Sequence, residues 1–131
     1  MTTRILAVYD RSPLGNLAVD TAFQVACSKD EAVLHVLAIP TAPGDAEQHE
    51  ALDDDLLAFA QAGRRLGVAV DGAIMAMPDT ERVVAEMRER QIDHLVIAKP
   101  AGQDGNTAIS RLLDAAAATT GVTTTVVRGS E

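Results

Sequence analysis

Tryptophan is absent from this chain of 131 residues, which has one tyrosine, two phenylalanines and one cysteine. With Cys27 alone, neither an internal disulfide nor a cysteine-built zinc site can form. That predicts a reducing, cytoplasmic setting. So few aromatic rings leave no platform on which bases would stack, which argues against nucleic acid as a partner. No run of 18 apolar residues occurs, so no membrane span is expected. The opening Met1-Thr2-Thr3-Arg4 lacks the apolar core of a signal peptide. What remains is a length suited to one domain, 1–131, with a core built from Ala, Val, Leu and Ile.

Basic residues are also missing from one long segment. Between Asp30 and Gly63 there are eight acids and no Lys or Arg, while the rest of the chain carries eleven of each sign. This segment supplies the whole net charge of −8. A polyanion or an anionic bilayer would be repelled there. A solvated helix face accounts for the run most simply.

Strand and helix signals alternate from end to end. Arg4–Tyr9 is an apolar strand that runs into Asp10. Ser12-Pro13 then supplies an N-cap and a first-turn proline for a helix with small apolar residues at Leu14, Ala18, Ala22, Val25 and Ala26. Ala32–Ala38 is a strand apolar on both faces. A loop over Thr41–Asp45 leads into a second helix, with Leu52, Leu56, Phe59 and Ala60 as its inner stripe, Gly63 extending that stripe and Gly67 stopping it. A third strand, about Val68–Met75, precedes a helix opened by Pro78-Asp79-Thr80, whose inner residues are Val83, Val84 and Met87. Asp93–Ala98 is the fourth strand. A loop over Lys99–Gly105 follows, then a helix with Ile109, Leu112, Leu113, Ala116 and Ala117 inward, then a β-branched closing strand, Thr123–Arg128. Five strands joined through four helices lie parallel with right-handed crossovers, so the predicted fold is α/β, one open sheet with helices on both faces. In such a sheet Asp10 stands at a carboxyl end, where open α/β folds bind ligands.

Ile5-Leu-Ala-Val-Tyr-Asp10-Arg-Ser12 resembles the first strand and acid–Gly–Ser corner of the universal stress proteins, with Arg11 in place of the glycine. Leu34-His35-Val36, Leu66-Gly67-Val68-Ala-Val70 and Asp93-His-Leu-Val-Ile97 are similar to that family's later strands, in the same order and spacing. The resemblance covers essentially the whole chain. It implies strand order 3-2-1-4-5, a crevice between the first and fourth strands, and a homodimer formed through the last strand. It also maps adenosine-contacting positions onto Val8, Asp10 and Val36, with Ser12 completing the corner.

Many members of that family bind ATP through Gly-x-x-Gly, nine residues, then Gly-Ser or Gly-Thr. Glycines let the backbone approach phosphates, and a helix N-terminus offers amides. Gly102-Gln-Asp-Gly105 fits the first half, but nine residues onward stand Ala115-Ala116. A register anchored on the strand and helix instead puts Ala98 and Pro100 or Ala101 at the glycines, with Ser110-Arg111 near the Gly-Ser. Either register leaves the motif incomplete, and Asp104 adds an anion. Arg111 is placed to meet a phosphate, or else to pair with Asp114 or Asp104.

Catalysis has little to work with. A phosphoacceptor site needs clustered acids, and only Asp10 follows the first strand. His35, His49 and His94 are scattered without metal-ligand spacing. His49 beside Glu50 and Asp53 offers at most a cation-gathering surface. Ser12 and Ser110 have no evident base, and Cys27 is expected to be a small buried hydrophobe. The expectation is a non-enzymatic, dimeric binding and regulatory protein with a degenerate site that takes ATP weakly or not at all. The alternative is a working AMP, ATP or cyclic-nucleotide sensor that regulates a partner such as a transporter.

Overall fold

The computed structural model describes residues 2–42, 44–101 and 107–129. The chain alternates β1 (Thr3–Tyr9), α1 (Pro13–Cys27), β2 (Ala32–Ala38), α2 (Ala46–Leu66), β3 (Ala69–Ile74), α3 (Thr80–Glu89), β4 (His94–Lys99), α4 (Ala108–Thr120) and β5 (Thr123–Arg128). The five strands form one parallel sheet in the order β3-β2-β1-β4-β5. The expected α/β fold and strand order are both present.

Alternation along each strand divides the core in two. Ile5, Ala7, Leu34, Val36 and Val96 face one way and meet Ala18, Val19 and Ala22 of α1 and Leu52 of α2. Leu6, Val8, Leu37, Leu95 and Ile97 face the other way and meet Val83 and Met87 of α3 and Leu113 and Ala116 of α4. Each fully buried Leu or Val contributes about 1.5–3 kcal/mol, which is what holds the helices down. Apart from Leu52, the only buried residue of α2 is Gly63. A Cβ there would stand 2.5 Å from the Val68 carbonyl oxygen and 2.5 Å from the Val70 side chain. The missing side chain lets the end of α2 lie directly on the start of β3, as its place in the stripe suggests.

The joins between strands are uneven. β1 pairs with β2 over seven residues, Thr3 to Tyr9. β4 pairs with β5 over six, His94 to Lys99. β1 pairs with β4 only at Ile5, Leu6 and Ala7 against His94, Leu95 and Val96. Beyond Ala7 and Val96 the two central strands part. α1, which follows β1, covers one face, and α4, which follows β4, covers the other. The opening is therefore a topological switch point.

Candidate functional site: the crevice between β1 and β4

Where the central strands part there is a cleft of about 240 Å³. Its apolar walls are Val8, Val96 and Ala98 from the strands, Leu14 from α1, and Ile109 and Leu113 from α4. Its polar groups are Asp10, Ser12 and Thr107. No lysine or arginine is among the described residues lining it, and the sequence of 102–106 contains none. Among the described residues the crevice has one carboxylate and apolar walls, which suits a ligand with hydroxyl donors better than one carrying several negative charges.

Asp10 is fixed by its own turn. Its Oδ1 accepts hydrogen bonds from the Ser12 amide at 3.0 Å and from the Ser12 hydroxyl. The Ser12 Oγ in turn accepts from the Gly15 amide at 3.1 Å, as the N-cap of α1. Among the described residues no donor reaches the second oxygen, Oδ2. Of the two roles open to Asp10 on sequence grounds, the hydrogen bonds show the turn-capping one, made by Oδ1.

The corner that carries Asp10 has a left-handed residue. Arg11 has φ 66°, a conformation that costs a side-chain-bearing residue roughly 1–2 kcal/mol. Its guanidinium Nε lies 2.9 Å from Asp55 Oδ2 on α2. The same oxygen accepts the Tyr9 hydroxyl at 2.8 Å. Tyr9 also stands edge-on to Phe59, with ring centres 4.9 Å apart. Burial, and next the neighbouring Asp55, push the Tyr9 hydroxyl up to about 12.

On the opposite wall, α4 begins with a reciprocal cap. Thr107 Oγ1 accepts from the Ser110 amide at 3.0 Å, and Ser110 Oγ accepts from the Thr107 amide at 2.7 Å. The amides of Ala108 and Ile109, both at the cleft, have no acceptor among the described residues.

Of the residues singled out from sequence, Val8, Asp10 and Ser12 come together here. Val36 does not. It is buried in the middle of β2, paired with Ala7 on one side and Gly72 on the other. The ladder continues beyond it, with the Ile39 amide donating to Tyr9 O and the Met75 amide to Ala38 O. Its backbone groups therefore belong to the sheet rather than to a guest. Ser110 is wholly buried and its hydroxyl also donates to Thr107 O, so it serves the cap of α4 and not the cleft. Arg111 is exposed, one residue past that cap, and does not line the cleft. Asp114, its suggested partner, instead accepts from Lys99 at 2.7 Å. Gly102 and Gly105 lie outside the described residues, as does Asp104. Thr107, which sequence reasoning passed over, carried a signal in the spacing Thr107-x-x-Ser110. Cys27 is exposed rather than buried: it falls one position past Ala26, the last buried residue of α1.

The histidines are dispersed. His35 Nδ1 stands 3.4 Å from Asp71 and 3.5 Å from Arg90, with Nε2 buried and unpartnered among the described residues. Arg90 also pairs with Asp71 and Glu86. Burial first, and then Arg90, push His35 below the usual histidine range. His94 shares a 2.6 Å hydrogen bond with Thr125, and burial lowers it too. His49 sits with Asp45, Glu50 and Asp53 in an open acidic groove on α2. Among the described residues no three such side chains are placed to hold a metal ion, and no helix is long and apolar enough to cross a membrane.

No family model matches the chain, and no curated protein matches it in sequence. Solved structures do match in three dimensions. A universal stress protein in complex with cAMP is 20% identical, with a TM-score of 0.69 and 98% of each chain covered. A protein of the universal stress protein family from Burkholderia pseudomallei is 17% identical, with a TM-score of 0.67 and 95% of each chain covered. One from Arabidopsis thaliana with AMP bound is 11% identical, with a TM-score of 0.64, covering 98% of this chain and 92% of that one. The fold of this chain is that of the universal stress proteins.

Proposed function

We propose that this is a binding and regulatory protein of the universal stress type, without enzymatic activity, whose β1–β4 crevice takes an adenine nucleoside or monophosphate in preference to ATP. The observation that carries the reading is Asp10 in the lining of a cleft with apolar walls, where among the described residues Oδ2 has no donor and no lysine or arginine lines the cleft. A carboxylate oxygen is a natural acceptor for a ribose hydroxyl. Two structural neighbours were solved with cAMP and with AMP, which supports an adenine nucleotide as the class of guest.

The phosphate end is weak. Each phosphate charge near Asp10 meets repulsion of order 1 kcal/mol or more at surface dielectric, against about 0.3–1 kcal/mol for a favourable contact at a helix N-terminus. Calorimetry with adenosine, AMP and ATP tests this. Adenosine and AMP are expected to bind in the high-micromolar range, with ATP at least about tenfold weaker. Submicromolar ATP binding would overturn the reading in favour of a working ATP sensor that regulates a partner protein.

The same reading makes the protein a cytoplasmic homodimer joined through β5. Two features of the sheet edges support this. At one edge Asp71 and Arg90 put a charged pair beside β3, a device that discourages strand addition. At the other, β5 is a Thr- and Val-rich edge strand with Val126 47% exposed.

A further inference from the structure

Both chain neighbours of Asp10 are held by one carboxylate. Tyr9 donates its hydroxyl to Asp55 Oδ2 at 2.8 Å, and Arg11 Nε stands 2.9 Å from the same atom. Asp55 belongs to α2, 45 positions beyond Asp10, and does not line the cleft. Arg11 is left-handed between two cleft residues, Asp10 and Ser12, and such a residue persists only where its surroundings fix it. From below, Gly15 closes on Asp10 and caps through Ser12. From above, the one charged group holding Arg11 among the described residues is Asp55.

We propose that Asp55 is a positioning residue for the crevice: by gripping Tyr9 and Arg11 it keeps the left-handed corner closed and the Asp10 carboxylate aimed at the guest. In the resembled family a glycine stands at the corner and needs no such support. Here arginine brings strain and, through Asp55, its own restraint. The inference rests on the crevice being a ligand site, but its first readout needs no ligand.

The test compares wild type, Asp55→Ala, Arg11→Gly and the double variant, each first confirmed to be folded by circular dichroism. In the ligand-free proteins, hydrogen exchange at the Ser12 and Gly15 amides reports whether the Asp10–Ser12 turn is closed. Asp55→Ala is expected to speed that exchange about tenfold while leaving β4 and β5 unchanged. In the double variant, glycine adopts the corner unaided and protection returns to within about twofold of wild type. Adenosine affinity measured by calorimetry follows the same pattern, a loss of about tenfold and then recovery. Recovery in the double variant separates positioning from packing, because removing Arg11 cannot restore contacts that α2 has lost. Unchanged exchange in Asp55→Ala, or no recovery in the double variant, would overturn the proposal. If Asp55→Ala does not fold, Asp55→Asn, which keeps an acceptor for Tyr9 but no charge for Arg11, takes its place with the same expected pattern. Failure of adenosine to bind wild type would sink the functional reading, while the exchange data would still decide the role of Asp55.

Discussion

Gly15 and Asp10 are packed so closely that a Cβ on Gly15 would lie 2.7 Å from Asp10 Oδ1 and 2.9 Å from the Asp10 amide nitrogen. The second distance is to backbone, which cannot swing aside. Gly15→Ala is therefore expected to destabilise by about 1–3 kcal/mol, even though alanine is the better helix former by about 1 kcal/mol. Urea denaturation would measure the loss, and adenosine titration would show weaker binding as Asp10 is displaced. A variant as stable as wild type would mean that α1 can retreat from β1 freely.

Tyr9 is the only tyrosine in the chain, so absorbance near 295 nm follows it alone. Burial and the Asp55 carboxylate push its hydroxyl to about 12, above the ordinary value of about 10. The unfolded chain loses this proton first, so folding stability is full below about pH 10 and declines from there up to about pH 12. Asp55→Asn should bring the absorbance midpoint down. A wild-type midpoint near 10 would contradict the hydrogen bond.

His35 has the opposite sign. Its cluster comprises Asp71 on β3, Glu86 and Arg90 at the end of α3, and Arg4 on β1. Burial and Arg90 disfavour the imidazolium in the folded state, so the unfolded chain binds the proton more readily. Stability should be full above about pH 6.5, the ordinary histidine value, and fall as the solution is acidified below it. Denaturation midpoints at pH 7.5 and 5.5 would show the drop in wild type and a smaller one in His35→Gln. Equal drops would assign the effect to carboxylates elsewhere.

Val126 is 47% exposed on the edge strand β5. If that edge joins two copies, Val126→Lys places a charge where the strands would meet. Light scattering should then report a dimer for wild type and a monomer for the variant at the same concentration. Wild type that stays monomeric at high micromolar concentration would remove the dimer.

The fold was legible because its signals are local. Ser12-Pro13 announces α1, Gly67 ends α2, and the apolar runs of β1, β2 and β4 carry their strands without help from distant residues. Asp10 was legible for the same reason, since a lone acid after a buried strand stands out. The restraint on Asp10 was not. Tyr9, Arg11 and Asp55 meet only after two helices have folded, and Asp55 is one of eight acids in a segment that looks like a solvated face. The capping role of Ser110 was not legible, because apolar periodicity overlooks a hydroxyl that caps its own helix. The place of Val36 outside the cleft was not legible, because one strand's sequence does not show how far its neighbours extend along it.

The sheet's central seam has only three rungs, Ile5 to Ala7 against His94 to Val96, whereas the strands on either side are knit over six or seven. Strand pairing thus divides the sheet into two wider plates with a short joint, and the joint ends at the mouth of the cleft. A guest touching Val8 and Ala98 at once would brace one plate against the other. Its presence would then register as a quieter joint rather than a new shape.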